Sequence, residues 1–102
     1  MDGQLFWSKI IAQLTDGKEI QTTRGLWFRA FVENNNLYID QAIDEIPSSQ
    51  ISKRRMITKK DFLFVYSYYE AWASGERGIT QTVSKQSQNV SYIFAIIKAF
   101  QM

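Results

Sequence analysis

A chain of 102 residues, 45% hydrophobic and 15% aromatic, carries enough apolar surface for one buried core and too little length for two domains. It contains no Cys and no His, which excludes disulfides, thiolate metal sites, cysteine nucleophiles, Ser-His-Asp relays and HExxH zinc chemistry. Twelve Lys and Arg against ten Asp and Glu leave a net charge of +2, so any catalysis would have to rest on carboxylates, Lys or Tyr.

Leu5, Phe6, Ile10, Ile11 and Leu14 recur at helical spacing and predict an amphipathic helix over residues 4–14. Thr15-Asp16-Gly17 ends it, because Gly17 can take a left-handed conformation. Three strand-like runs follow, at residues 18–22, 26–32 and 37–42, separated by the turns Thr23-Arg24-Gly25 and Asn34-Asn35-Asn36. In the second run Leu26, Phe28, Ala30 and Val32 share one face and Trp27, Arg29 and Phe31 the other, which predicts a central strand covered in part on both sides. Trp27, Arg29, Phe31 and Tyr38 are also a candidate stacking face for unpaired bases, with core packing as the competing reading.

Pro47 marks a loop over residues 44–50, and residues 51–57 read as a fourth strand. Thr58 has the features of a helix N-cap, with Asp61 three residues on. The helix it opens, residues 59–74, carries Phe62, Val65, Tyr66, Tyr69, Trp72 and Ala73 as an apolar stripe. Tyr68 lies off that stripe and is expected to be exposed. Gly75 and Gly78 bracket a loop, Thr80 caps a short helix over residues 81–85, and Ser87 or Asn89 caps a last helix with Val90, Ile93, Phe94, Ile97 and Phe100 on its buried face. The order of elements predicts a single α+β domain over residues 1–102: a small antiparallel sheet of three to four strands, with an N-terminal helix and two to three C-terminal helices packed on it.

Charge is distributed unevenly along this frame. Residues 30–52 hold four acidic and no basic residues, whereas residues 53–60 hold Lys53, Arg54, Arg55, Lys59 and Lys60 and no acidic ones. The basic run has the chemistry to neutralise phosphates. A solvated or salt-bridged surface is the competing reading. The turn at residues 85–89 adds Lys85, Gln86, Gln88 and Asn89 ahead of a helix, where amides would meet base edges in a helix-turn-helix. A polar capping turn is the competing reading. Met1-Asp2-Gly3-Gln4 is no basic leader, and no apolar run approaches the roughly 18 residues of a membrane span, so a cytoplasmic location is expected.

Glu19-Ile20-Gln21-Thr22 with Gly25 and Phe28, then residues 57–62, then Ser91-Tyr92-Ile93 resemble small α+β DNA-associated domains of prokaryotic restriction, defence and mobile-element proteins. The resemblance implies a DNA-associated module and transfers no functional residues. The resulting expectation is a non-enzymatic nucleic-acid-binding module, without cofactor or metal, whose partner is DNA or RNA. The alternative is a protein–protein interaction module, homodimeric through exposed aromatic side chains near Tyr68 or Trp27.

Overall fold

The computed structural model describes residues 2–101. Helix α1 (Gly3–Gln13) opens where the Asp2 carboxylate accepts the Gln4 N–H at 2.8 Å. It turns Phe6 and Ile10 into the core and is followed by the buried Leu14. The Leu14 carbonyl accepts the N–H groups of Gly17 and Val32, which ties the end of α1 to the sheet. Gly17 sits at φ +78° at that tight return.

Four strands follow as an antiparallel meander in the order β1-β2-β3-β4: β1 (Lys18–Gln21), β2 (Trp27–Glu33), β3 (Asn36–Gln41) and β4 (Arg55–Ile57). The triple Asn is resolved into a two-residue turn. Asn34 and Asn35 hold φ +53° and +66°, and Asn36 already pairs with Glu33 as the first residue of β3. Period-2 alternation turns Ile20, Phe28, Ala30, Leu37, Ile39 and Ile57 toward the helices, all buried.

Three expected elements differ. Residues 51–57 form a strand only from Arg55. Ahead of it Ile51 drops into the core from a loop, its carbonyl accepting the Gln41 side-chain amide at 2.7 Å, and this takes the chain out of register with β3. The long helix over residues 59–74 is broken into α2 (Lys59–Tyr66) and α3 (Tyr69–Ala73). The Ser67 hydroxyl donates to the Phe64 carbonyl at 2.6 Å, and Tyr68 N–H bonds Val65 three residues back, so the α-ladder lapses at Ser67-Tyr68. The kink re-aims Tyr69 and Trp72, and Trp72 stacks on Phe94 at 4.6 Å. Helix α4 (Ile79–Ser84) starts two residues early. Gly78 at φ +79° takes the N-cap position, and its carbonyl accepts the Thr82 N–H.

Helix α5 (Val90–Phe100) closes the chain. It packs against α2, α4 and β1 and buries Val90, Ile93, Phe94, Ala95, Ile96 and Ile97. The helices thus cover one face of the sheet. Among the described residues no helix is long and apolar enough to cross a membrane.

The other sheet face is organised by charge and aromatic contact. Phe31 stacks on Tyr38 at 5.5 Å, Arg29 lies 4.2 Å over Phe31, and Arg54 lies 4.4 Å over Tyr38. At its far end the loop after β3 is clasped by Glu19, whose carboxylate accepts N–H groups from Ile43 at 2.7 Å, Asp44 at 3.1 Å and Glu45 at 2.9 Å. Desolvation pushes the Glu19 carboxyl up, but the three N–H bonds and the Arg29 charge together outweigh it and leave it below its ordinary 4.5. A depressed folded value adds stability above the unfolded value and loses it as pH falls through the folded one. Glu19→Gln is therefore expected to lower stability modestly at pH 7, because solvent screens this exposed carboxylate and its bonds. In urea titrations the gap between wild type and variant should narrow as pH drops below 4.5.

Candidate nucleic-acid interface

The turn between α4 and α5 is pinned from both sides. The Ser87 hydroxyl, 5% exposed, accepts the Asn89 N–H at 3.1 Å. This replaces a side-chain cap from Asn89, which occupies the N-cap position of α5 without one. The Asn89 amide is spent elsewhere: its Nδ2 donates to Asp61 Oδ2 at 3.2 Å and its Oδ1 accepts from Arg55 at 3.4 Å. Asp61 is itself fixed at the start of α2, where its N–H bonds the Thr58 hydroxyl at 3.1 Å. One amide therefore joins β4, α2 and α5. Arg55 also lies 5.8 Å over the Tyr92 ring.

Asp61 and Asn89 of this bridge line an open cleft of about 520 Å³ together with Lys60, Gln86 and Gln88, and Arg55 adjoins it through Asn89. Gln86 and Gln88 are exposed and their side chains make no hydrogen bond within the described residues. Lys60 sits in the first turn of α2, where the helix dipole disfavours a cation and favours an anion laid against it.

The basic run does not act as one patch. Arg55 faces the helices opposite Ile39, so its neighbour Arg54 faces the other side of the sheet. There Arg54 is held by Glu33 at 3.2 and 3.3 Å. Lys59 points away from Lys60, toward Trp7, Asn34 and Asn35. Lys53 is exposed in the loop before β4, and Lys85 is exposed at the end of α4 outside the cleft. Of the nine residues singled out from sequence, Arg55, Lys60, Gln86, Gln88 and Asn89 come together, and Lys53, Arg54, Lys59 and Lys85 do not join them. Asp61 was legible as a cap but not as the acceptor that positions Asn89.

The helix pair around the turn exists, yet α5 is spent on the core. Only Ser91, Lys98 and Ala99 on it are exposed. The face that a recognition helix would lay in a major groove lies inside this protein. The aromatic surface expected for a homodimer is likewise reduced: Tyr68 is half-buried and packs edge-on against Phe64 at 5.5 Å, and Trp27 is half-buried beside the returning segment at Pro47–Ser49. The large apolar side chains most open to solvent are Ile46 and Ile43, 83% and 75% exposed on the loop clasped by Glu19.

Comparison with protein-family models, with curated proteins and with solved structures finds no match for this chain.

Proposed function

We propose that the protein is a non-enzymatic module that binds the backbone of a nucleic acid, DNA or RNA, in the cleft between α2 and the turn at residues 85–89. The observation that carries this reading is the convergence of Lys60 with the unpartnered amides of Gln86 and Gln88 on one open cleft, which Arg55 adjoins through its bond to Asn89. Cations there would release counterions from phosphates, and the amides offer both donors and acceptors to sugar, phosphate or base edges. Arg55 is preorganised by Asn89 and Tyr92, so little side-chain entropy is lost when it meets an anion.

The test is fluorescence anisotropy with labelled oligonucleotides, titrated with salt. Arg55→Ala/Lys60→Ala is expected to weaken binding and to flatten the salt slope by about 1.8 on a duplex ligand or about 1.4 on a single strand, at roughly 0.9 or 0.7 for each lost phosphate contact. Arg54→Ala, on the opposite face, should bind like wild type. No binding at low salt, or an Arg54→Ala loss equal to that of the double variant, overturns the reading.

A second reading rests on a different observation. A loop held by three N–H bonds presents Ile43 and Ile46 to solvent beside Asp44 and Glu45, as a protein-interaction module does. It gains ground if the oligonucleotide titration is flat.

A further inference from the structure

The turn at residues 85–89 has a second side. Across Ser87 and Gln88 from the Lys60 cleft lies another of about 350 Å³, bounded by the β1–β2 turn and by the first residues of α5. It is lined by the hydroxyl residues Thr23, Thr80, Ser91 and Tyr92, together with Arg24. Arg24 is exposed and has no ion-pair partner among the described residues. This is a different arrangement from the outer sheet face, where Arg54 is already taken up by Glu33 and Tyr38. Thr22 is used within the fold, its hydroxyl accepting the Leu26 N–H at 3.2 Å, so it braces the Arg24 turn and leaves Arg24 and Thr23 at the surface.

We propose that the two clefts form one track for a single-stranded nucleic acid, with Gln88 as the ridge between them and Arg24 as a second phosphate-binding residue. The proposal rests on the nucleic-acid reading above and adds the strand class and a residue. Three features lead to it. Both clefts share Ser87 and Gln88, so a chain leaving one enters the other. Each has the volume of a small-molecule site, room for a nucleotide or two and not for a duplex. A duplex is read by an element that protrudes into a groove, whereas the surface here is concave on both sides of a short turn, and α5 cannot protrude because it is buried. Cations in the two clefts would each hold a phosphate of one strand, and the hydroxyls and the Gln88 amide would meet sugar and base edges between them.

The experiment measures anisotropy of a labelled twelve-nucleotide single strand and of the matching duplex against wild type, Arg24→Ala, Lys60→Ala and the double variant across a salt series. Melting curves check that each variant is folded. Arg24→Ala is expected to weaken single-strand binding about threefold or more at low salt and to lower the salt slope by about 0.7, with the double variant losing about twice that slope. Single strand should bind more tightly than duplex. If wild type and Lys60→Ala behave as the nucleic-acid reading requires while Arg24→Ala binds like wild type with an unchanged slope, the track is overturned and that reading survives. A preference for duplex also overturns it. If wild type binds neither oligonucleotide, the nucleic-acid reading itself has failed and the track falls with it.

Discussion

Phe62→Ala is expected to destabilise the protein by about 3–5 kcal/mol, the usual range for deleting a buried ring. Phe62 is completely buried, and three aromatic rings close around it: Phe6 at 6.2 Å and nearly parallel, Trp7 at 5.2 Å and Tyr66 at 6.3 Å. Two of those rings come from α1 and only Tyr66 from its own helix, so the cavity opens at the joint between α1 and α2 and cannot be filled by shifting one helix. Rigid aromatic neighbours relax less than aliphatic ones, which places the loss toward the upper part of the range. Domains of this size hold about 5–15 kcal/mol in total, so the variant would keep a small margin at best. Thermal unfolding should shift down by about 15–30 °C, at roughly 4–8 °C per kcal/mol for a domain near 100 residues. Phe62→Leu keeps most of the volume and should cost well under half as much. A shift below about 5 °C for the alanine variant would mean that α1 does not rest on Phe62 as described.

The residues that could be read from sequence were those whose role is local. Apolar spacing in residues 4–14 gave α1 to within a residue at each end, and the Asn run gave the β2–β3 turn, because both signals are set by backbone geometry within a few residues. The break at Ser67-Tyr68 was not legible: the aromatic stripe continues through it at helical spacing, and what decides the break is a serine back-bond together with the docking of Trp72 on Phe94, which lies 22 positions away in the chain. The basic run is more instructive. Its composition suggested a patch, but adjacent residues of a strand face opposite ways, so Arg54 and Arg55 were bound to separate once residues 55–57 paired. Lys59 and Lys60 separate similarly around the first turn of α2, one toward α1 and one toward the amide turn. That Lys60 then meets Gln86 and Gln88, and Arg55 the neighbouring Asn89, depends on α5 lying beside α2, a tertiary fact with no trace in the spacing of either segment. Arg24 carries no signal in the sequence for the same reason, since its turn is brought to α5 only by the sheet.

Asn89→Ala is expected to cost about 1–2 kcal/mol of stability and to weaken ligand binding at the Lys60 cleft at the same time. The stability loss follows from what the amide bridges. Without it the Asp61 carboxylate, half-buried at the start of α2, loses its Nδ2 donor, and Arg55 loses the acceptor that orients it. The two bonds are long, at 3.2 and 3.4 Å, which keeps the estimate below the upper end for charged hydrogen bonds. Because the amide and the carboxylate act as a pair, the loss should not add to that of Asp61→Ala. A double-mutant cycle by urea unfolding is expected to give a coupling of about 0.5–1.5 kcal/mol. Binding should fall because a freed Arg55 must be ordered again when it meets a phosphate, a cost of about 0.5–1.5 kcal/mol for a flexible side chain, or a factor of roughly 2–12 in affinity. The cycle also separates two roles that the sequence alone made look alike. If Asn89→Ala weakens binding while stability and the coupling to Asp61 stay within about 0.3 kcal/mol of zero, the amide touches the ligand itself and the bridge is incidental. If stability, coupling and binding fall together, Asn89 works by holding Arg55, and the amides free to read a strand are Gln86 and Gln88.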